Sequence, residues 1–519
     1  MKLIILGIDG LSHKVIEKCQ DAMPTLYQHF KNDTQSVLKT TFPYFTGPAW
    51  TSFQTGKDTG NHGVNNYFKY DKDFNIRMVN GNDIKEKTFY EIVDENGLKC
   101  FTMNLPYTNP AKTKGDIVYS WLYAANEDNK LFFPRNLPER FPSLKQYRNH
   151  TERAKGTMKY LDSTYECLLT EEKVIQEVIT KDEHDVAFFL ICALDRVQHK
   201  TYPDLIAQID NSKTKMSKKI FKKLDDIIKW IDENKKEETK VIIMSDHGFR
   251  AYDGKFYVNS WLKNKGHLIT SPGGQIINEV TSDNTKNKKK KRKLNITPLV
   301  VFVKKHPRLF KFAEHFYDVI VKNIPFDIVK QQGIDFSKTK AYCRSSFEST
   351  IFLNENLSIE EKKKLKIEII DGLNKLEDIE AHDCQGFYHG KYVNQIGDVV
   401  VSSEKYEIDS TIGNQEFISM TRLMHDLYGS FICYGPDIKT NYVLEKSHIT
   451  DMTPTILHLL DLKVPNDLDG KVLKEIFAEG TDPAINEVKY SKVENINSND
   501  NKEKIKNIIK QIKIPLKNK

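Results

Sequence analysis

Apolar residues are spaced along this chain in two alternating rhythms. The runs KLIILGI (2–8), DVAFFLICAL (185–194), KVIIMS (240–245) and SFICYG (430–435) are continuous and rich in branched residues, as in strands buried on both faces. GDIVYSW (115–121) and GDVVVS (397–402) are shorter versions of the same pattern. Between them, KKIFKKLDDIIKWIDENKKEE (218–238) sets apolar residues at helical spacing against a lysine face. SIEEKKKLKIEIIDGLNKLEDI (358–379) and TDMTPTILHLLDL (450–462) also read as helices, the second with Thr450 as its N-cap. Strands alternating with helices predict an α/β fold, a mostly parallel central sheet covered on both faces.

The rhythm breaks near residue 280, where KNKKKKRK (286–293) is followed by the basic, aromatic stretch TPLVVFVKKHPRLFKFAEHFYDVIVKNIPF (297–326). Sheet-like sequence returns near 397. At 519 residues the chain exceeds one ordinary core. The expected organisation is a core in two parts, 1–281 and 397–475, an inserted cap or lid over 282–396 with a lysine-rich exposed loop, and a basic, weakly ordered tail over 476–519.

Charge and cysteine content narrow the classes. The net charge of +7 is concentrated in the 286–293 run and in NKEKIKNIIKQIKIPLKNK (501–519), so the body is nearer neutral and no nucleic-acid-binding domain is expected. Seven cysteines are scattered without a CxxC pair, which predicts reduced, buried thiols and a cytoplasmic setting. MKLIILGIDGL reads as a buried first strand rather than a signal peptide, because Asp9 interrupts it and no small-residue cleavage site follows. No uncharged run reaches the length of a membrane-spanning helix. The 297–326 stretch is expected to be a lid helix packed on the core. Peripheral membrane contact through the basic segments is the alternative, against which Pro298, Pro307 and Pro325 argue.

Functional groups in open parallel sheets gather past the carboxyl ends of strands, and here each good strand ends in metal-ligating residues. The first runs into Asp9; 185–194 runs into LDRVQH, with Asp195 and His199; 240–245 runs into DHG, with Asp246 and His247; and MHDLYGSF places His425 before the last strand. Carboxylate and imidazole ligands suit zinc, with manganese as the alternative, and three Asp with three His exceed the needs of one ion. Two ions about 3.5–4 Å apart are a recurrent device for displacement at phosphorus.

A nucleophile is then sought in TTFPYFTGPAWTSFQTG (40–56). Thr40 and Thr41 lie in the incoming segment, and Thr51, Ser52 and Thr55 lie inside the following helix. Pro48 suits the first helical turn, which puts Thr46 at or beside the N-cap, where the helix dipole and free backbone amides favour a phosphoryl group. Thr46 is the candidate, with the Gly47 amide as a phosphate donor. Lys57, after the Thr-Gly pair, reads as a solvated charge, and His62 and His458 as structural histidines.

Asp9, the Thr46–Gly56 block with GNHGV after it, DRVQH, SDHGF and HDLYGSF…YGP together resemble the nucleotide pyrophosphatase/phosphodiesterase family of the alkaline phosphatase superfamily, closest to its prokaryotic branch. The resemblance implies an alkaline-phosphatase-like α/β/α sandwich and a two-metal site. One ion would be held by Asp195, His199 and His425, the other by Asp9, Thr46, Asp246 and His247, with a covalent phospho-threonine intermediate. The Asn that members use to hold a phosphate oxygen aligns with Tyr67; Asn66, adjacent, is the candidate for that role. The TFPY at 41–44 imitates the nucleophile motif of eukaryotic members, but its spacing from the Thr-Gly pair is wrong.

These readings predict a metal-dependent hydrolase of small-molecule or lipid-linked phosphoesters, most simply diesters or pyrophosphates. The alternatives are a phosphomonoesterase, a phosphonate or sulfate ester hydrolase, a phosphoglycerate-mutase-like enzyme, or a catalytically inactive binding protein on this fold. The sulfatase Cys-x-Pro-x-Arg signature is absent.

Overall fold

The computed structural model describes residues 1–71, 74–120, 131–148, 156–271 and 333–492. The lysine run, the 297–326 stretch and the 501–519 segment lie outside them.

The continuous apolar runs form the middle of a ten-stranded sheet. Leu3–Ile8 sits between Val186–Ile191 and Lys240–Met244, parallel to both. Cys100–Met103 and Asp116–Val118 extend the parallel array on one side. On the other side, Tyr428–Tyr434 enters antiparallel between Lys240–Met244 and Thr34–Lys39. Phe132–Phe133 is the other antiparallel member, at the far edge. Successive side chains of Leu3–Ile8 point to opposite faces: Ile4, Leu6 and Ile8 enter one core, Leu3 and Ile5 another. The first core is covered by Thr157–Lys181 and Ser212–Asn234, the second by Thr46–Thr55, Phe89–Glu95 and Met452–Leu459. This is the α/β/α sandwich expected.

A third core lies on the side of the molecule that the 333–417 segment builds. Ala341–Cys343, Thr350–Leu353, Val399–Ser402 and Glu380–Asp383 form an antiparallel sheet backed by Ile359–Leu373, whose start is fixed by a reciprocal Ser358–Glu361 capping box. The GDVVVS run is thus a strand, but of this sheet and not of the central one. The long strand Gly248–Tyr257 joins the two regions. It leaves the central sheet just after His247 and pairs antiparallel with Phe417–Asp426, with Phe249 opposite His425.

Thr450 is not the N-cap of the closing helix. His448 caps a short 3₁₀ turn at Ile449–Asp451, its Nδ1 accepting from both the Thr450 amide and the Thr450 hydroxyl, and the α-helix begins only at Met452. All seven cysteines are buried, and none is joined in a disulfide. Among the described residues no helix is long and apolar enough to cross a membrane.

Candidate active site

Strand register delivers the first ligands. Ile8 pairs with Ile191 and Gly7 with Met244, so three adjacent strands end at one level and Asp9, Asp195 and Asp246 follow at the same edge. The turn after Asp9 is tight: Gly10 has φ +75°, and a Cβ there would lie 2.9 Å from Gln198 Nε2. Asp195 and His199 share a face of helix Ala193–Ile206, one turn apart.

Two contiguous clusters result. His199 Nε2 lies 3.4 Å from Asp195 Oδ1, His425 Nε2 lies 3.6 Å from the same oxygen, and the two Nε2 atoms are 3.3 Å apart. His247 Nε2 lies 3.4 Å from Asp9 Oδ1, 3.2 Å from Asp246 Oδ2 and 3.4 Å from Thr46 Oγ1. The His247 and His425 rings stack at 3.7 Å and join the clusters. Ligand atoms of Asp195, His247 and His425, and again of Asp9, Asp246 and His247, fall within 4.8 Å of one another. The seven residues expected at the site are therefore brought together, and His247 serves both groups.

The chemistry of this donor set fits divalent cations. His199, His247 and His425 each donate Nδ1–H to a backbone carbonyl, of Leu423, Gly248 and Tyr44 respectively. Each Nε2 therefore turns a lone pair inward, the arrangement metal-bound imidazoles adopt. Burial pulls His199 down to about 3 and His247 and His425 below their ordinary value, so the rings are neutral. Asp9 Oδ1, Asp195 Oδ1 and Asp246 Oδ2 are buried without a hydrogen-bond partner among the described residues. Burial pushes Asp195 and Asp246 up to about 7, and burial with the Asp246 and Asp195 charges holds Asp9 well above the usual carboxylate range. Unpaired carboxylate oxygens facing imidazole lone pairs repel one another; a cation between them removes both penalties.

Thr46 is the first residue of helix Thr46–Thr55, after Phe45 in extended conformation. The Ala49 amide makes the helix's bond back to Phe45, so the Thr46 and Gly47 amides precede the intrahelical ladder and Pro48 has none. Three of the rival threonines are committed elsewhere, while Thr40 Oγ1 is buried without a hydrogen-bond partner among the described residues. Thr51 and Thr55 hydroxyls donate to Gly47 and Thr51 carbonyls, and Thr41 bonds Asp58 and Thr59. Asn66 is buried, its Oδ1 accepting from the Phe68 amide and its Nδ2 left without an acceptor among the described residues.

Lys57 is not solvated. It is 4% exposed and bridges Glu86 and Asp467, because the chain leaving the helix dives beneath the 467–469 loop. His62 and His458 are structural, bonding Ser52 and the Pro483 carbonyl. Sequence reasoning missed an aromatic wall: Phe347, from the third core's side, meets Phe45 and Tyr67 edge-on at 5.3 Å each, and Phe45 meets His425 at 5.5 Å. It also missed Tyr107, whose signal was the NLPYTNP turn directly after a buried strand.

The sequence model of the type I phosphodiesterase/nucleotide pyrophosphatase family matches residues 3–357. A search of curated proteins returns no significant match. Among solved structures, murine ectonucleotide pyrophosphatase/phosphodiesterase 5, as an inactive threonine-to-alanine variant in complex with AMP, aligns at a TM-score of 0.54 and 13% identity, covering 92% of this chain and 100% of that one. The human counterpart aligns at 0.51 and 14% identity, covering 91% and 97%. At such identities the likeness is one of fold, and it agrees with the sheet and helix layers described above. The family match extends over most of the chain and includes every site residue except His425. This chain belongs to the type I phosphodiesterase/nucleotide pyrophosphatase family of phosphoester hydrolases.

Proposed function

We propose that the chain hydrolyses phosphodiester or pyrophosphate bonds of a small-molecule substrate through Thr46 as nucleophile and two divalent ions, zinc in the first place and manganese in the second. The observation that carries this reading is the pair of abutting clusters, with Thr46 Oγ1 3.4 Å from His247 Nε2 at the edge of one of them. Asp195, His199 and His425 would hold one ion, and Asp9, Asp246, His247 and Thr46 the other. Bound there, the ions supply positive charge to the attacking and leaving oxygens.

The chain's own groups do the rest. Thr46 gives up its hydroxyl proton to water as Oγ forms a bond to phosphorus and the bond to the leaving oxygen breaks, and the leaving group takes up a proton from water. Water then attacks the same phosphorus, and the threonine oxygen departs and regains its proton. The amides of Thr46 and Gly47, at the positive end of the helix, face the charge that builds on the non-bridging oxygens. Asn66 Nδ2 is a further donor in search of an acceptor. Phe45, Tyr67 and Phe347 would flank the substrate's organic part. The murine relative that is inactive as a threonine-to-alanine variant, in complex with AMP, supports a threonine in this role and a nucleotide-like phosphoester as the substrate class.

The test is hydrolysis of bis-p-nitrophenyl phosphate against p-nitrophenyl phosphate, with zinc or manganese. Diester cleavage is expected to fall at least about a thousandfold in Thr46→Ala, to vanish on chelation and to persist in Thr41→Ala. Full activity in Thr46→Ala would sink the nucleophile assignment. Preference for the monoester would keep the nucleophile and move the substrate class to phosphomonoesters.

A further inference from the structure

Tyr107 occupies a conformation that its packing alone does not explain. It lies in the NLPYTNP segment (104–110) with φ +61°, the left-handed region that bulky residues rarely enter. The segment is fastened on several sides. Gln54, on the Thr46 helix, donates Nε2–H to the Pro106 carbonyl at 3.2 Å; the Gly81 amide donates to Asn109 at 2.7 Å; and the Thr108 hydroxyl donates to Leu105 at 3.1 Å. The ring packs with Val64, Tyr67, Val79 and Ile84. The residue is 5% exposed, and its hydroxyl is buried with no hydrogen-bond partner among the described residues.

That hydroxyl sits at the start of the nucleophile's helix. A Cβ built on Gly47 would lie 2.3 Å from it and 3.0 Å from Cζ, so the phenol fills the space that the glycine next to Thr46 leaves open. Tyr67, whose phenol lies close to the Thr46 side chain, belongs to the same cluster. Two more donors in the dipeptide before Tyr67, Asn65 Nδ2 and Asn66 Nδ2, are buried without acceptors among the described residues. Buried polar groups almost always find partners, and a tyrosine hydroxyl in particular does so. A phenylalanine would pack equally well here without an orphaned oxygen. Burial also holds the Tyr107 phenol in its neutral form, able to donate.

We propose that the Tyr107 hydroxyl is a substrate-binding donor that hydrogen-bonds a non-bridging oxygen of the phosphoryl group under attack by Thr46. The inference rests on the phosphoester reading above. A phosphoryl group brings oxygens that only accept, which is what a group of unmatched donors lacks. The strained backbone and the fastened loop hold the donor in place before the charge develops, and so avoid reorganisation during the reaction.

The experiment compares wild type, Tyr107→Phe and Thr46→Ala, each loaded with zinc. It measures diester kinetics, orthovanadate binding by calorimetry, and Tm. For Tyr107→Phe, kcat is expected to fall about a hundredfold with KM within about twofold, and orthovanadate to bind about tenfold more weakly. Tm should hold or rise, since the variant removes an unpaired hydroxyl and keeps the ring. Wild-type kcat and orthovanadate affinity in Tyr107→Phe, with Thr46→Ala inactive, would overturn the tyrosine inference alone. So would a fall in Tm with both of those readouts unchanged, which marks a structural residue. Full activity in Thr46→Ala would overturn the phosphoester reading and this inference with it.

Discussion

The three imidazoles of the site keep their protons on the outer nitrogen, each spent on a backbone carbonyl, and that one choice turns three histidines into acceptors facing a common volume. Partners decide equally what neighbouring residues are not. His382 and His389, two further histidines of the same part of the chain, lie at the surface near Glu380 and Asp469. Lys57 directly follows the Thr46–Gly56 block and reads as a solvated charge, yet its ammonium is buried against Glu86, 2.7 Å away, and against Asp467. Its work is to tie the end of that helix to the loop beyond the closing helix. Truncating it leaves the Glu86 carboxylate, mostly buried, with the more distant Lys391 as its one remaining cation among the described residues. Lys57→Ala is therefore expected to cost about 3 kcal/mol of stability, read from the urea midpoint, with kcat within about threefold of wild type. A loss under about 1 kcal/mol would put the bridge in the class of exposed surface pairs.

At the scale of elements, helix Pro24–Asn32 is held to the long helix Ser212–Asn234 by a charge contact as well as by Leu26 and Phe30 in the core. His29 donates from both ring nitrogens, to Asp33 and to Asp232, at 2.8 Å each, and stacks on Tyr434 at 3.9 Å. Burial pulls its pKa down, but the bonds to Asp232 and Asp33 outweigh this and raise it to about 9. The folded value thus exceeds the unfolded one of about 6.5. The contact's contribution is complete below about pH 6.5 and is lost as pH rises through 9, an expected roughly 1–3 kcal/mol. Urea unfolding of wild type and His29→Asn should show a gap that is wide at pH 6.5 and closes by pH 9.5. Parallel curves would show that the ring is not charged in the fold.

Elements also mark what could be read in advance. The strands ending in Asp9, Asp195 and Asp246 were legible because continuous apolar runs and the residues after them are local facts, and the helical runs at 218–238 and 358–379 were legible for the same reason. Pairing is not local. That GDVVVS joins Thr350–Leu353, or that Gly248–Tyr257 crosses to Phe417–Asp426, depends on contacts some fifty to one hundred and seventy residues away. Phe347 and Tyr107 belong to the same class: nothing in their neighbours says that one will stand over Phe45 and the other over Gly47. Lys57 misled because a lysine is usually solvated and only the distant Asp467 reveals otherwise.

The whole molecule sets apolar cores on both faces of the sheet against a charged centre at its edge. Three carboxylates converge there because three parallel strands are locked in register by cores such as Ile4, Leu6 and Ile8 on one face and Leu3 and Ile5 on the other, and no local relaxation can separate them. His425 arrives from the far side, on the strand that pairs with Gly248–Tyr257, so the site also joins the central sheet to the third core. Removing bound cations should therefore destabilise the protein and not merely silence it. With free zinc a thousandfold above its Kd, linkage contributes about 4 kcal/mol per site. Chelation is expected to lower Tm by several degrees, and zinc or manganese to restore it. The same treatment should move Asp246→Ala much less, since that variant lacks one ligand and one of the repelling carboxylates. A Tm indifferent to chelator in wild type, with metal analysis showing the ions removed, would mean that the fold holds its carboxylates apart by other means and that the two clusters are not a metal centre.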